Sequence, residues 1–97
     1  MKPKRIENKQ LLELIRKQRC VVCGAPPPSD PDHIKTRGSG GNDIPQNIAP
    51  LCRTHHIQRH QYGTFKFADK YPKFESWLLE NEWHLDEYTK TWRNFEC

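Results

Sequence analysis

Cys20-Val21-Val22-Cys23 and Cys52-Arg53-Thr54-His55-His56 bracket two shorter runs, Asp32-His33-Ile34 and Asn47-Ile48-Ala49-Pro50-Leu51. Cys20/Cys23 and Cys52/His55 are ligand pairs with two residues between their members. At that spacing a tight turn lets both side chains reach one ion. Two such pairs complete the closed tetrahedral shell of a structural Zn²⁺, and the sulfur-rich set favours zinc over magnesium or calcium. A lone Cys-x-x-Cys would also suit buried thiols or a redox centre, but a redox centre has no use for Cys52 and His55. Spacing favours His55 as the fourth ligand; the adjacent His56 and the terminal Cys97 are the other candidates.

A second polar set remains once those ligands are set aside: Asp32, His33, Asn47, His56 and His60. His56 and His60 are four apart and project from one face of a helix. Cys52 and His55 share a different face, so one short helix can serve zinc on one side and another metal on the other. The alternative for His56 and His60 is a solvated pair beside Arg59. Asp32 and His33 face opposite ways in an ideal strand. They serve one site only if the strand ends, bends or bulges there, and Pro31 favours such an irregularity.

The bulk numbers fit a stapled domain. With 97 residues, 34% hydrophobic and 29% charged, one domain is expected over 1–97, and it is marginal on burial alone. Sixteen Lys and Arg against twelve Asp and Glu give a formal charge of +4, a balance that favours a polyanionic partner. No window approaches the roughly 18 consecutive apolar residues of a membrane span. The basic start, Met1 to Arg5, has no apolar run behind it, since Glu13 and Arg16 interrupt Leu11, Leu12, Leu14 and Ile15. The expectation is a cytoplasmic protein, whose thiols are ligands or free rather than paired, with Cys97 spare.

Periodicity predicts an amphipathic helix over 7–18 with Leu11, Leu14 and Ile15 on its apolar face. Ala25 to Pro31 holds three consecutive prolines and reads as a stiff connector. Thr36 to Asp43 reads as a glycine-rich flexible loop, and Pro50 argues against a central strand. A helix is expected from Cys52 to about Gln61, ending near Gly63, with two more helical pieces over 64–71 and 73–81 broken at Pro72. The tail from Trp83 to Phe95 reads either as a final helix or as a strand plus helix.

The order Cys-x-x-Cys, Asp-His, Gly40-Gly41, Asn47, Cys-x-x-His-His over residues 20–60 resembles the HNH nucleases (ββα-metal, or His-Me finger), in particular small phage-type members framed by zinc knuckles. The resemblance implies an α+β fold, a small ββα-metal core with a structural zinc site and flanking helices. It implies that Asp32 and His56 bind the catalytic metal, that His33 is the general base, and that Asn47 orients the base and its loop. His60 matches a further ligand found only in some members, such as colicin-type nuclease domains. Many zinc-framed relatives carry cysteine where this chain has His55.

Such a site would hydrolyse DNA. A neutral imidazole is a competent base near pH 7, and a mixed carboxylate-imidazole set accepts Mg²⁺, Mn²⁺ or Ni²⁺. Lys35, Arg37, Arg53 and Arg59 are the candidates for holding flanking phosphates. Nothing points to base-edge reading, and some relatives act with a partner protein in phage recombination or packaging. The rival is a zinc module that binds nucleic acid or protein without catalysis; it leaves the second polar set unexplained.

Overall fold

The computed structural model describes residues 4–96. Met1 to Pro3 and Cys97, the outside candidate for zinc, lie beyond them. The fold is a small α+β arrangement of three helices and two two-stranded antiparallel sheets among the described residues.

Helix α1, Lys9–Arg16, starts where the Asn8 side chain accepts the Leu11 N–H at 3.0 Å. Such a cap is worth about 1 kcal/mol. Its buried face is Leu12 and Ile15, packed with Ile48; Leu11 is only partly covered and Leu14 is 58% exposed. The expected face is therefore rotated: the pair that the sheet covers is Leu12/Ile15, not Leu11/Leu14.

Strand β1, Asp30–His33, pairs with β2, Ile48–Leu51, placing Pro31 opposite Pro50 and His33 opposite Ile48. A two-stranded sheet has no central strand, so neither proline deprives a second neighbour of a hydrogen bond. Between the strands the chain is held tightly. Gly41 N–H donates to Thr36 O at 2.8 Å, and a Cβ at Gly41 would lie 1.8 Å from Lys35 O. Only glycine fits there, and this half of the expected flexible loop is a packed turn.

Helix α2, Arg53–Lys70, is broken at Gly63, whose φ of 78° and ψ of 165° lie outside helical space. Glycine takes that conformation without a Cβ penalty. The first half carries the histidines; the second carries Phe67, which packs 4.8 Å from both Tyr71 and Phe74. Helix α3, Pro72–Glu80, begins on its proline, where the missing N–H costs nothing. Phe67, Phe74 and Leu78 form the main core with Ile34, Ala49, Leu51, Trp83 and Trp92.

The tail is neither of the two expected forms. It is a hairpin of β3, His84–Asp86, and β4, Thr91–Arg93. Leu85 and Trp92 face each other across it and turn toward the core. Trp83 donates its indole N–H to Gln46 O at 2.6 Å, tying the tail to the segment before β2.

Candidate metal centres and active site

The four zinc candidates come together. One donor atom from each of Cys20, Cys23, Cys52 and His55 lies within 4.8 Å of the others. Cys52 Sγ is 3.2 Å from His55 Nδ1, Cys20 Sγ is 3.7 Å from it, and Cys23 Sγ is 3.9 Å from Cys52 Sγ. Zinc bonds of about 2.3 Å to sulfur and 2.0–2.1 Å to nitrogen give tetrahedral edges of about 3.8 Å between sulfurs and 3.5 Å from sulfur to nitrogen. The cluster is compatible with zinc. Cys52 is the N-cap of α2 without a side-chain capping bond, which leaves its sulfur facing the cluster. Burial raises the Cys20 thiol, but backbone N–H donors at Cys52, Cys23 and Val22 outweigh it and bring the group below its ordinary value. His56 does not join this shell.

His56 instead turns to the other side of α2. Its Nε2 is 3.0 Å from His60 Nε2, and both nitrogens are 3.5 Å from Asp32 Oδ1. Three donor atoms thus converge on one point. An octahedral ion with bonds of about 2.1 Å has adjacent ligands about 3.0 Å apart, so the set fits a hard divalent ion. Asp32 is fully buried. Arg59 grips both its oxygens at 2.8 Å and also donates to His33 O at 3.0 Å. Burial raises Asp32, but the hydrogen bonds from His56 and Arg59 and the charges of both hold it below the usual carboxylate range. A carboxylate has about four lone-pair sites, so the Arg59 fork leaves Oδ1 able to face the histidines.

His33 sits apart from that triplet. It is the last residue of β1, and its Nε2 is 2.7 Å from Asp43 Oδ1. Asp43 is 3% exposed and also accepts from Arg5 at 2.7 Å and from Asn8 N–H at 2.9 Å. Burial pushes Asp43 up; the Asn8 N–H, His33 and the Arg5 charge outweigh it and lower it. The strand has no bulge and ends at His33, and the two neighbours meet different partners: Asp32 meets His56, His60 and Arg59, and His33 meets Asp43. Asn47 is fully buried and clamps the loop: its Oδ1 accepts from Lys35 N–H, and its Nδ2 donates to Lys35 O and Asn42 O.

Two carboxylates with a part in this geometry, Asp30 and Asp43, escape sequence reasoning. Asp30 Oδ2 lies 3.0 Å from His56 Nδ1 and accepts from Arg53 Nε at 2.7 Å. A proton on Nδ1 toward Asp30 turns the Nε2 lone pair toward Asp32 and His60, the arrangement by which outer carboxylates orient metal-binding histidines. Asp32 first, then Asp30, raise His56 above its ordinary value against its burial. His60 is lowered by burial and by the Arg59 charge.

An open cleft of about 770 Å³ beside the triplet is lined by Arg16, Asp30, Arg53, His56 and His60, among others. Of the four cations expected to meet phosphate, Arg53 is on this cleft. Arg37 lines a neighbouring one, which shares Arg16 and also holds Arg5 and Asp43. Lys35 lines a cavity near the hairpin. Arg59 departs from expectation: at 5% exposed and committed to Asp32, it is part of the interior. Arg16, which the sequence did not single out, faces both clefts.

The chain matches the family described as "Putative HNHc nuclease" over residues 4–89. It belongs to the HNH nuclease family. The match runs well past residues 20–60, so α1 and the β3 strand are part of the HNH unit here. An Escherichia coli (strain K12) protein named "Uncharacterized protein YdfU" is 38% identical over 60 residues, 59% of this chain and 17% of that protein. The HNH chain therefore corresponds to under a fifth of that relative's length. No solved structure matches it at a significant level. No helix among the described residues is long and apolar enough to cross a membrane.

Replacing Asp30 tests the orientation of the HNH triplet. Asp30→Asn is expected to weaken binding of Mn²⁺ at Asp32/His56/His60 about 10- to 100-fold, the usual scale for an outer carboxylate, with zinc content unchanged. Calorimetric titration of the zinc-loaded protein reads it; an unchanged Mn²⁺ affinity would remove Asp30 from the site.

Proposed function

We propose that this protein is a metal-dependent endonuclease that hydrolyses DNA phosphodiester bonds. The observation that carries the reading is the convergence of Asp32 Oδ1, His56 Nε2 and His60 Nε2 on one point beside an open, cationic cleft. His33 is the general base. Asp43 occupies its Nε2, so Nδ1 is the nitrogen that takes the proton from the attacking water, and the dyad geometry keeps the ring fixed while it does so. Asn47 fixes the loop that carries Asp43 by its three bonds to Lys35 and Asn42. Asp32, His56 and His60 would hold the divalent ion, Mg²⁺, Mn²⁺ or Ni²⁺, and Cys20, Cys23, Cys52 and His55 the structural zinc. When bound, the divalent ion supplies charge relief on the phosphate and the leaving oxygen. Arg16 and Arg53 line the cleft, and in this reading they hold flanking phosphates.

The test is cleavage of supercoiled plasmid by the zinc-loaded protein with Mg²⁺, Mn²⁺ or Ni²⁺, with EDTA as the control. Nicked or linear product that EDTA abolishes is the expected result. Binding should also fall steeply with salt, because each cation on a phosphate displaces condensed counterions. A flat salt dependence between about 50 and 200 mM would count against phosphate contacts.

A further inference from the structure

Two cavities lie away from the metal cleft, where the Gly63 break in α2 meets the β3–β4 hairpin. Their volumes are about 360 and 480 Å³, and they adjoin through Ile34, Thr64, Thr91 and Trp92. Lys35, Lys66, Lys90 and Arg93 line the pair, and among the described residues no carboxylate does. In a chain with twelve acidic residues, this is a local concentration of positive charge. Asp86, beside Arg93 at 4.0 Å, forms a solvent-exposed pair of little strength.

The same walls are aromatic. Phe95 is 94% exposed, and Tyr62 is 39% exposed with Lys70 Nζ over its ring at 5.1 Å, so the ring surface open to solvent among the cations is chiefly that of Phe95. Trp92 lines both cavities, is 9% exposed, and its buried indole N–H has no acceptor among the described residues. Buried donors are nearly always satisfied in the working state of a protein. The surface also connects to the candidate catalytic centre. Arg59 holds Asp32 with one edge of its guanidinium and donates to Thr64 Oγ1 at 3.3 Å with another group. Ile34, on the inner wall, follows His33 directly.

We propose that this surface is a stacking platform for the unpaired bases of single-stranded DNA. The inference rests on reading the Asp32 cluster as a nuclease centre and adds its substrate class: DNA with an unpaired strand next to the point of cleavage. Cations alone would suit any nucleic acid. Open rings among them suit bases that are not already stacked, because a duplex keeps its base faces inward and offers these rings only phosphate and sugar. Stacking of this kind is tolerant of sequence, in keeping with the lack of any base-edge reader.

The test is binding by the full-length, zinc-loaded His33→Ala protein, read by fluorescence anisotropy. Three probes of about 20 nucleotides are used: oligothymidylate, an abasic strand with the same phosphates, and a duplex. Oligothymidylate is expected to bind about tenfold or more tighter than the abasic strand, since stacking of one base alone supplies that order. Phe95→Ala should bring that ratio to about twofold or less; the ring is exposed, so the fold does not depend on it. Lys66→Ala with Lys90→Ala should weaken both strands alike and flatten the salt slope. Equal binding of thymidylate and abasic strands, a ratio that survives Phe95→Ala, or tighter binding of duplex than of single strand would overturn the platform. Binding is read without cleavage, so failure of the unsubstituted protein to cut plasmid overturns the catalytic reading and leaves this result standing on its own.

Discussion

His33→Ala should cut supercoiled plasmid about a hundredfold or more slowly than the parent, the usual scale for loss of a general base. It should do so with its zinc, its fold and most of its DNA affinity intact. The reason is in the division of contacts. The His33 ring touches Asp43, while the zinc shell and the Asp32 triplet are built from other side chains. His56→Ala should lose cleavage by a different route, by weakening the triplet. Excess Mn²⁺ should therefore partly restore His56→Ala and do nothing for His33→Ala. His60→Ala grades the third position: strong loss makes it a ligand, and near-normal cutting makes it a surface histidine. A His33→Ala protein that cuts as fast as the parent, with contaminating nuclease excluded, would transfer the evidence to a zinc module without catalysis.

Cys20→Ser should leave little folded protein. The parent is expected to carry about one tightly held zinc per chain, and structural zinc in small domains contributes apparent free energies of about 10–16 kcal/mol. That matches or exceeds the roughly 5–15 kcal/mol by which folded domains are stable at all. Cys20 is 3% exposed and belongs to the main core, so a serine there loses a ligand and buries a hydroxyl as well. Elemental analysis and near-ultraviolet circular dichroism read the outcome. Folded, soluble protein without zinc would refute the structural role. His55→Ala should behave like Cys20→Ser, and His56→Ala should keep its zinc.

What the sequence made legible was whatever is encoded by short spacing. Cys20/Cys23, Cys52/His55 and His56/His60 are pairs within one turn of chain, and their two faces on α2 follow from 3.6 residues per turn. Asp32 and Asn47 were legible only through the order of the motif, since no local periodicity marks either. Asp30 was within reach: it lies two residues before Asp32 and so on the same face of β1. Asp43 and Arg5 were not, because they meet His33 and each other across 10 and 38 residues of chain. Arg59 was misread for the same reason. Its type and neighbourhood suit a surface cation, and only the fold reveals the buried carboxylate that takes it inside. The tail hairpin was hidden because Trp83, Leu85, Tyr88, Trp92 and Phe95 fit no single period: its strands are three residues each and contribute one core-facing residue apiece.

The two-faced first half of α2 sets how this chain can change length. Each residue added to a helix rotates everything beyond it by about 100°. One extra residue between Cys52 and His55 would swing His55 off the thiols and His56 and His60 off Asp32 together, so both centres would be lost in a single event. Point substitutions can alter the two sites separately, but an insertion or deletion between Cys52 and His55 cannot. The exposed turn at Arg37 to Gly40, by contrast, hangs from fixed points at Thr36 and Gly41, and loop closure grows only slowly with length. Among relatives, length variation should therefore collect in that turn and be absent between Cys52 and His60.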